Sequence, residues 1–362
     1  MVEYRVTTPQ RAYPALVGRG VVSRIPEFLP PQHGRIIVVT TRDVWLLHGD
    51  HVRASLGNLE FDPLFFAGGE ENKRLAHIEQ LAEQMVERGA DRSSVLVAFG
   101  GGIVTDMGGF LAAIFMRGIP VIQVPTTLLA QVDAAIGGKT GANLAAGKNL
   151  IGSFHQPLAV LIDPSLLTTL PDREYRAGLY EIIKAGVIAS EPLFRILMDR
   201  RDEVMAQEPE VVDRIIGESV RIKAEVVSLD ERESGLRRIL NFGHTFGHAM
   251  EAETKYTKFL HGEAVSWGMR AASLLASDLG MLGDSDRGAI LDLLDAYGPI
   301  PSCDGIGRAD LQIRLLKDKK TVQHRIHFVL PVRIGEVEVR SDVPVAAVQK
   351  AIDQALTDCR AA

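Results

Sequence analysis

Cysteine is scarce in this chain of 362 residues, which contains only Cys303 and Cys359. Two thiols in a chain of this length make no disulfide framework of the kind that stabilises small secreted proteins. The first ten residues, MVEYRVTTPQ, also lack the apolar core of a secretory signal. Both observations favour a reducing cytoplasm as the simplest location.

The sequence has neither an excess of positive charge nor a long apolar run. Its formal net charge of -6 at pH 7 argues against a nucleic-acid-binding protein. The longest apolar stretches are short and interrupted by glycine, proline or charged residues, so we expect no membrane span. The composition, 46% hydrophobic and 24% charged, is that of a soluble globular protein. An anionic ligand would need positive side chains that are gathered locally.

The pattern of apolar residues changes near the middle of the sequence. Apolar, β-branched runs of strand length occur at 35–39, 94–99, 119–125 and 159–163, and residues 72–90 repeat apolar side chains at helical spacing. This alternation predicts βαβ units and a mostly parallel sheet. After about residue 170, helical patterns dominate until HRIHFVLPV at 324–332. We therefore predict an α/β domain over 1–170 and a mainly α-helical domain over 171–362, because one hydrophobic core rarely serves so long a chain.

Two glycine-rich segments could bind anions. In FGGGIVTDMGGF (99–110), Gly100 and Gly102 meet only part of the G-x-G-x-x-G fingerprint, and a tight strand-to-helix turn explains the glycines as well. Asp106 there is interpreted as a cap near the positive end of a helix. In PTTLLAQVDAAIGGKTGANLAAGKNLIG (125–152), Lys139 and Lys148 stand beside glycines, which favours a phosphate or carboxylate site over a polar surface loop.

Two histidines, His244 and His248, lie four residues apart in NFGHTFGHAME (241–251), so both rings would lie on one side of a helix. A catalytic zinc ion takes three protein ligands, often two histidines and a glutamate. His261 supplies a third histidine, and Glu181 is a carboxylate on an otherwise apolar helix. The ligands could be the three histidines, or Glu181 with two of them, and Glu251 and Glu263 are further candidates. Glycines precede both His244 and His248, which suggests that something approaches the backbone closely there.

Six motifs follow one another along the chain and share one resemblance. They are GGGIVTD (100–106), RGIPVIQVPTTLLAQVDAAIGGKTGAN (117–143), GKNLIG (147–152), TLPDREYRAGLYEIIKAG (169–186), GLRRILNFGHTFGHAME (235–251) and LHGEAVSWGM (260–269). In this order they resemble 3-dehydroquinate synthase, and the resemblance extends from about residue 68 to about residue 330.

The resemblance implies a lyase that depends on NAD and on one divalent metal, Zn or Co. It would convert 3-deoxy-D-arabino-heptulosonate 7-phosphate, a small anionic sugar phosphate, into 3-dehydroquinate and phosphate. The steps are oxidation, phosphate elimination, reduction, ring opening and aldol closure, and the product enters the shikimate pathway to chorismate and aromatic amino acids. The implied fold is a Rossmann-like α/β domain followed by a helical domain, with the active site in the cleft of a cytoplasmic homodimer.

The resemblance also implies site residues, position by position. The metal ligands would be Glu181, His244 and His261, whereas His248 would face the substrate. The groups near the substrate would be Lys139, Asp133, Lys184, Lys223, Arg237, Asn241, Lys148 and Asn149. Arg117 would reach the phosphate from the partner subunit, and either Lys319 or Lys320 would approach the substrate. NAD would contact Gly69, Glu70, Lys73, Gly101, Gly102, Ile103, Asp106, Thr126, Thr127, Lys139, Lys148 and Thr169. One position departs from the family, since Thr41 stands where an aspartate commonly binds the adenosine ribose.

Three alternatives compete with this interpretation. A sister sugar phosphate cyclase that makes another carbocycle usually differs at the second motif histidine, whereas His248, Lys223, Arg237 and Asn241 all fit the dehydroquinate pattern. Polyol dehydrogenases of similar architecture lack this set of motifs. A catalytically inactive binding protein would not need an intact ligand triad and lysine set.

Overall fold

The structure, a computed structural model, describes residues 1–317 and 326–361. It divides into two compact units. The first consists of Met1–Pro171 with Val212–Arg232, and the second of Asp172–Val211 with Glu233–Ala362. Residues 212–232, which the sequence placed in the helical domain, therefore belong to the α/β unit. A 3.6-residue period identifies a helix but carries no information about which unit the helix packs against.

The first unit is built on a sheet that has seven strands among the described residues. The strands of the chain are β1 Val2–Thr7, β2 Ala12–Val17, β3 Ile36–Thr41, β4 Phe61–Phe66, β5 Val95–Gly100, β6 Val121–Pro125, β7 Lys139–Leu144, β8 Gly147–Phe154, β9 Ala159–Ile162, β10 Phe328–Arg333 and β11 Glu336–Arg340. The sheet order is β1-β2-β9-β6-β5-β3-β4. Only β1 and β2 pair antiparallel, and the other neighbours are parallel. The predicted parallel sheet is confirmed.

The strands at the centre of the sheet are buried on both faces. Along β3, Ile37 and Val39 belong to one hydrophobic cluster, and Ile36 and Val38 to another on the opposite face. This double burial explains why the strand is a continuous apolar run in the sequence. β7 and β8 lie outside the sheet as a separate antiparallel hairpin.

The helices are α1 Arg42–Leu56, α2 Leu75–Glu87, α3 Gly102–Ile114, α4 Asp172–Ala189, α5 Glu191–Asp199, α6 Arg201–Met205, α7 Pro209–Leu229, α8 His244–Glu253, α9 His261–Asp278, α10 Asp284–Ala296, α11 Arg308–Lys317 and α12 Val345–Ala361. α7 is tied to the first unit by polar contacts at both ends: Arg19 pairs with Asp213 at 3.0 Å, and the Thr7 N–H donates to Ser228 Oγ at 2.9 Å. None of the helices in the described ranges combines the length and hydropathy of a membrane span.

The second unit is mainly helical, as predicted, with β10 and β11 as an antiparallel pair. α9 is buried along most of its length, and the indole N–H of Trp267 donates to the carbonyl of Ala355 in α12. Cys303 and Cys359 form a disulfide with their Cα atoms 5.6 Å apart. From two cysteines the sequence predicted no disulfide framework, and it did not show that these two side chains meet.

Candidate functional site

Three helices of the second unit converge on one cluster of side chains. Glu181 lies in α4, His244 is the first residue of α8, and His261 is the first residue of α9. Close packing of these helices depends on glycine. A Cβ at Gly243, whose φ is +79°, would lie 2.7 Å from the Val265 carbonyl oxygen, and a Cβ at Gly262 would lie 1.8 Å from the Ala177 carbonyl oxygen. The sequence suggested that something approaches the backbone closely at the glycine before His244, and α9 makes this approach. Gly243 itself comes immediately before α8.

The ligand atoms of Glu181, His244 and His261 all lie within 4.8 Å of one another. Oε1 of Glu181 is 3.7 Å from Nε2 of His244 and 3.6 Å from Nε2 of His261. Ligand atoms of a tetrahedral zinc ion with bonds of ~2.0–2.2 Å lie about 3.3–3.6 Å apart. Oε2 of the buried Glu181 carboxylate pairs with the Lys184 ammonium, whereas Oε1 has no hydrogen-bond partner among the described residues. A cation between Oε1 and the two Nε2 atoms would satisfy it.

The other ring nitrogens of the two histidines face acceptors. Nδ1 of His244 is 3.2 Å from the Phe242 carbonyl oxygen, and Nδ1 of His261 is 3.3 Å from Oε2 of Glu251. An N–H on each Nδ1 leaves the lone pair on Nε2, the atom that faces Glu181. The sequence had left Glu251 as a candidate ligand, and its position beside Nδ1 makes it an orienting group for His261.

His248 lies on the same side of α8 as His244. The two ring centroids are 5.5 Å apart, and the ring of His248 is 6.0 Å from that of His261. His248, Glu251 and His261 form a second group of mutually close ligand atoms. The two groups share His261 and overlap.

Lys184 lies beside this cluster, and two further polar residues of the second unit precede α8 in the sequence. Lys184 is buried one turn after Glu181, and its Nζ lies against Oε2 of that carboxylate. Arg237 and Asn241 lie on the short 3₁₀ helix Leu236–Asn241 that leads into α8. Arg237 is 1% exposed, and the Asn241 amide donates to Glu233 Oε1.

A different cluster lies in the first unit, at the start of α2 and beside α3. Lys73 is 3% exposed, pairs with Asp106 and donates to Asn149 Oδ1 at 2.6 Å. Asp106 is therefore no helix cap: it lies in the second turn of α3 and holds a buried ammonium. Burial raises the pKa of the Asp106 carboxyl, and the positive charge of Lys73 opposes that shift.

Lys223 and Asp133 form a second ion pair of the first unit. Lys223 Nζ donates to Asp133 Oδ1 at 2.5 Å. The pair joins α7 to the segment after β6, and 90 residues separate the partners in sequence. No local pattern could have paired them.

The other residues that the sequence singled out are placed as follows. Gly101, Gly102 and Ile103 lie at the start of α3, and Thr126 and Thr127 follow β6. His48 Nε2 lies 2.7 Å from Thr169 Oγ1, and Lys148 Nζ lies 3.9 Å from Glu70 Oε1, next to Gly69. Lys139 is the exposed first residue of β7, Thr41 ends β3, and Arg117 has a φ of +71°. Lys319 and Lys320 lie outside the described residues.

Comparisons with known proteins bear on both units. The family model described as 3-dehydroquinate synthase N-terminal matches residues 64–177, and the one described as 3-dehydroquinate synthase C-terminal matches residues 178–321. The chain belongs to the 3-dehydroquinate synthase family. A 3-dehydroquinate synthase of Solibacter usitatus is 62% identical over 356 residues, covering 98% of this chain and 100% of the relative. One of Koribacter versatilis is 47% identical, covering 96% of each.

Solved structures of sister cyclases resemble this member of the 3-dehydroquinate synthase family. The 2-epi-5-epi-valiolone synthase of Streptomyces hygroscopicus subsp. jinggangensis 5008, with NAD⁺ and Zn²⁺ bound, has a TM-score of 0.89 at 28% identity and covers 98% of this chain and 100% of that chain. A 2-deoxy-scyllo-inosose synthase complexed with carbaglucose-6-phosphate, NAD⁺ and Co²⁺ has a TM-score of 0.88 at 26% identity and covers 98% of this chain and 99% of that chain.

Proposed function

We propose that this protein converts 3-deoxy-D-arabino-heptulosonate 7-phosphate into 3-dehydroquinate and phosphate, as a lyase of the shikimate pathway. The observation that carries the proposal is the 62% identity, over 356 residues, with a 3-dehydroquinate synthase. The ligand cluster and the buried lysines support it, because the reaction joins redox chemistry to the handling of a phosphate and a carboxylate.

Glu181, His244 and His261 would hold one divalent ion, Zn or Co. The donor set fits, since two imidazoles and one carboxylate are a common catalytic zinc site, and Oε1 of Glu181 is buried with no hydrogen-bond partner in the part of the chain that the structure describes. A bound metal would lower the pKa of the substrate hydroxyl and polarise the ketone formed from it. Glu251 would hold His261 with its Nε2 lone pair directed at the ion.

The first unit would bind NAD, which would supply reversible hydride transfer and so would be recycled rather than consumed. The backbone N–H groups of Gly101–Ile103 at the start of α3 form a positive helix terminus that suits the pyrophosphate. Gly69, Glu70, Lys73, Asp106, Thr126, Thr127 and Thr169 are the further contacts that we propose for the cofactor, with Lys139 and Lys148 near both cofactor and substrate.

Substrate binding would fall to the cationic and amide side chains of both units. Lys139, Lys148, Asn149 and Lys223 in the first unit, and Lys184, Arg237 and Asn241 in the second, match the charge of a phosphate and a carboxylate. Asp133 orients Lys223 by the 2.5 Å contact. His248 would transfer a proton or contact the phosphate, because an imidazole titrates near neutral pH.

We further propose a cytoplasmic homodimer in which Arg117 serves the partner's site. Met116 and Arg117 have φ values of +49° and +71°, a strained turn in which two successive non-glycine residues hold a left-handed conformation. Co-expression of Arg117→Ala and His244→Ala chains tests this arrangement. Mixed dimers would contain one intact site and regain activity that neither variant has alone, whereas no recovery would contradict it.

The proposed reaction is tested with purified protein, the heptulosonate phosphate and NAD. We expect phosphate release that a chelator abolishes and that Zn²⁺ or Co²⁺ restores, with dehydroquinate identified by NMR. Glucose 6-phosphate is the control substrate, because a sister cyclase structure holds its carbocyclic analogue. Turnover of the control substrate without turnover of the heptulosonate phosphate would favour a sister cyclase instead.

A further inference from the structure

Asn143 connects two segments of the first unit through both ends of one buried amide. Its side chain, 7% exposed as a residue, donates from Nδ2 to Glu70 Oε1 at 2.7 Å and to the Glu70 carbonyl at 3.2 Å. Its Oδ1 accepts the backbone N–H of Asn149 at 2.8 Å. Glu70 belongs to the segment proposed to contact NAD, and Asn149 to the hairpin proposed to hold the substrate.

The hairpin is irregular at the point where Asn143 acts. Ala142 pairs with Ile151 and Leu144 with Gly147, so the single residue Asn143 stands opposite residues 148–150. Such bulges redirect side chains and are frequent beside active sites. Asn149 has a φ of +51°, a left-handed conformation that few side chains tolerate. The contact from Asn143 Oδ1 therefore stabilises the bulge that carries Lys148 and Asn149.

Lys73 also links the two segments. Its carbonyl oxygen accepts the backbone N–H of Asn143 at 2.7 Å, and its Nζ donates to Asn149 Oδ1 at 2.6 Å. Asn143 thus joins the segment 69–73 to the bulge 148–150, beside the direct contacts of Lys73 with Asn149 and of Lys148 with Glu70. Each contact forms only when both segments are in place.

We propose that Asn143 is a positioning residue that couples NAD binding at residues 69–73 to sugar-phosphate binding at residues 148–149. This inference rests on the proposed function. A ligand that orders one segment presents the amide to the other and lowers the entropy cost of ordering it, which is positive cooperativity without a large movement. Breaking either end leaves a buried polar group without its partner. Asparagine suits this position, because its amide offers a donor and an acceptor on separate atoms and can serve a carboxylate and an N–H at the same time.

The coupling is measured as the factor by which a non-reactive phosphonate analogue of the substrate tightens NAD binding, by calorimetry on the metal-loaded protein. Couplings of this kind are typically 5–150-fold, and by reciprocity NAD tightens the analogue by the same factor. We expect about tenfold in the unmodified protein and a factor near one in Asn143→Ala. An unchanged factor in Asn143→Ala, or a factor of one in the unmodified protein, would overturn the proposal.

Two further variants separate coupling from folding. Asn143→Asp keeps the acceptor for Asn149 but places a second carboxylate against Glu70, so we expect coupling to be lost while analogue binding without NAD stays near normal. Leu144→Ala, at the exposed tip of the same hairpin, is the matched control and should keep both the coupling and the binding of the analogue. A variant that merely loosens the fold would weaken both ligands and leave the factor unchanged.

Hydrogen exchange with NAD alone tests the same connection without any sugar phosphate. NAD should slow exchange at residues 147–150 strongly in the unmodified protein and in Leu144→Ala, and much less in Asn143→Ala, where only the proposed direct contact of NAD with Lys148 remains. Equal protection in Asn143→Ala would mean that this direct contact alone orders the hairpin, which refutes the role of Asn143. Failure of the proposed function would appear elsewhere, as no phosphate release from the heptulosonate phosphate by the unmodified protein.

Discussion

The two units each bury a cluster of charged and polar side chains, but they complete these clusters differently. In the first unit, Lys73 is buried against Asp106 and Asn149, so the protein itself supplies the counter-charge and the acceptor. In the second, Oε2 of Glu181 pairs with Lys184, but Oε1 has no hydrogen-bond partner among the described residues, and two Nε2 atoms approach it at 3.6–3.7 Å. The first cluster is a self-sufficient network, whereas the second is a set of ligands that a cation would complete.

Among the changes that we predict, removal of one metal-ligand side chain should have the largest effect. His244→Ala should lower metal affinity at least ~100-fold, since even residues that only orient ligands typically contribute 10–100-fold. His248→Ala should retain metal but lose ~10²–10⁴-fold in turnover, the usual contribution of a general acid or base. Metal content by mass spectrometry and the rate of phosphate release measure the two effects separately. Equal metal loss from both variants would favour the group that contains His248 and Glu251.

The covalent link of the second unit offers another source of its stability. The disulfide between Cys303 and Cys359 spans 56 residues, and bridges of this kind typically contribute ~2–4 kcal/mol to the free energy of unfolding. Cys303→Ala should lose about this amount relative to the oxidised protein and much less relative to the reduced protein, as measured by urea unfolding. Two reactive thiols in freshly isolated protein would mean that the bridge does not stabilise this unit in the cell.

The contrast between the clusters also explains what the sequence could predict. Continuous apolar runs predicted β3, β5, β6 and β9, because central parallel strands are buried on both faces. β4 carries Asp62 and Pro63, as its position at the sheet edge allows, and β2, which lies between β1 and β9, is interrupted by Pro14; no continuous run indicated either strand.

Within the site, the residues alone left several ligand sets open. The spacing of His244 and His248 correctly indicated a shared helix face, but only the packing of α4 against α8 and α9 brings Glu181 to His244 and His261. Lys73 was selected by resemblance, and its pairing with Asp106 was not foreseen, because the partners lie 33 residues apart on different elements. Contacts over such separations depend on the fold, which local patterns do not encode.

Breaking the self-sufficient cluster should have an intermediate effect. Asp106→Asn would leave the buried Lys73 ammonium without its counter-charge and should lower the free energy of unfolding by about 1–3 kcal/mol, less than for a fully buried pair, because the Asp106 side chain is 20% exposed. The double variant Lys73→Met with Asp106→Leu should recover most of this loss, although NAD binding would suffer. Urea unfolding with and without chelator provides the measurement. A chelator-dependent loss would contradict the independence of this cluster from the metal.

The smallest effect that we predict is a loss of stability at acidic pH that involves one histidine of the first unit. Burial lowers the pKa of His48, whose Nε2 contacts Thr169. The folded protein therefore disfavours the charged ring, and the stability contributed by neutral His48 is present above the unfolded pKa of ~6.5 and is lost as pH falls below it. His48→Gln keeps a hydrogen-bonding group but cannot charge, so its melting temperature should fall less between pH 7 and pH 5 than that of the unmodified protein.

The design of this measurement follows from the difference between the two units. Ligand histidines must be neutral to bind a metal, so acid would also release an ion from the second unit and conceal the contribution of His48. Melting in the presence of a chelator at both pH values removes that contribution. His33→Gln, at a partly exposed position, serves as the control and should behave like the unmodified protein. If His48→Gln lost stability in acid as steeply as the control, protonation of His48 would not limit the stability of the first unit. Partly buried His155, whose pKa is also lowered by burial, would then be the next residue to replace.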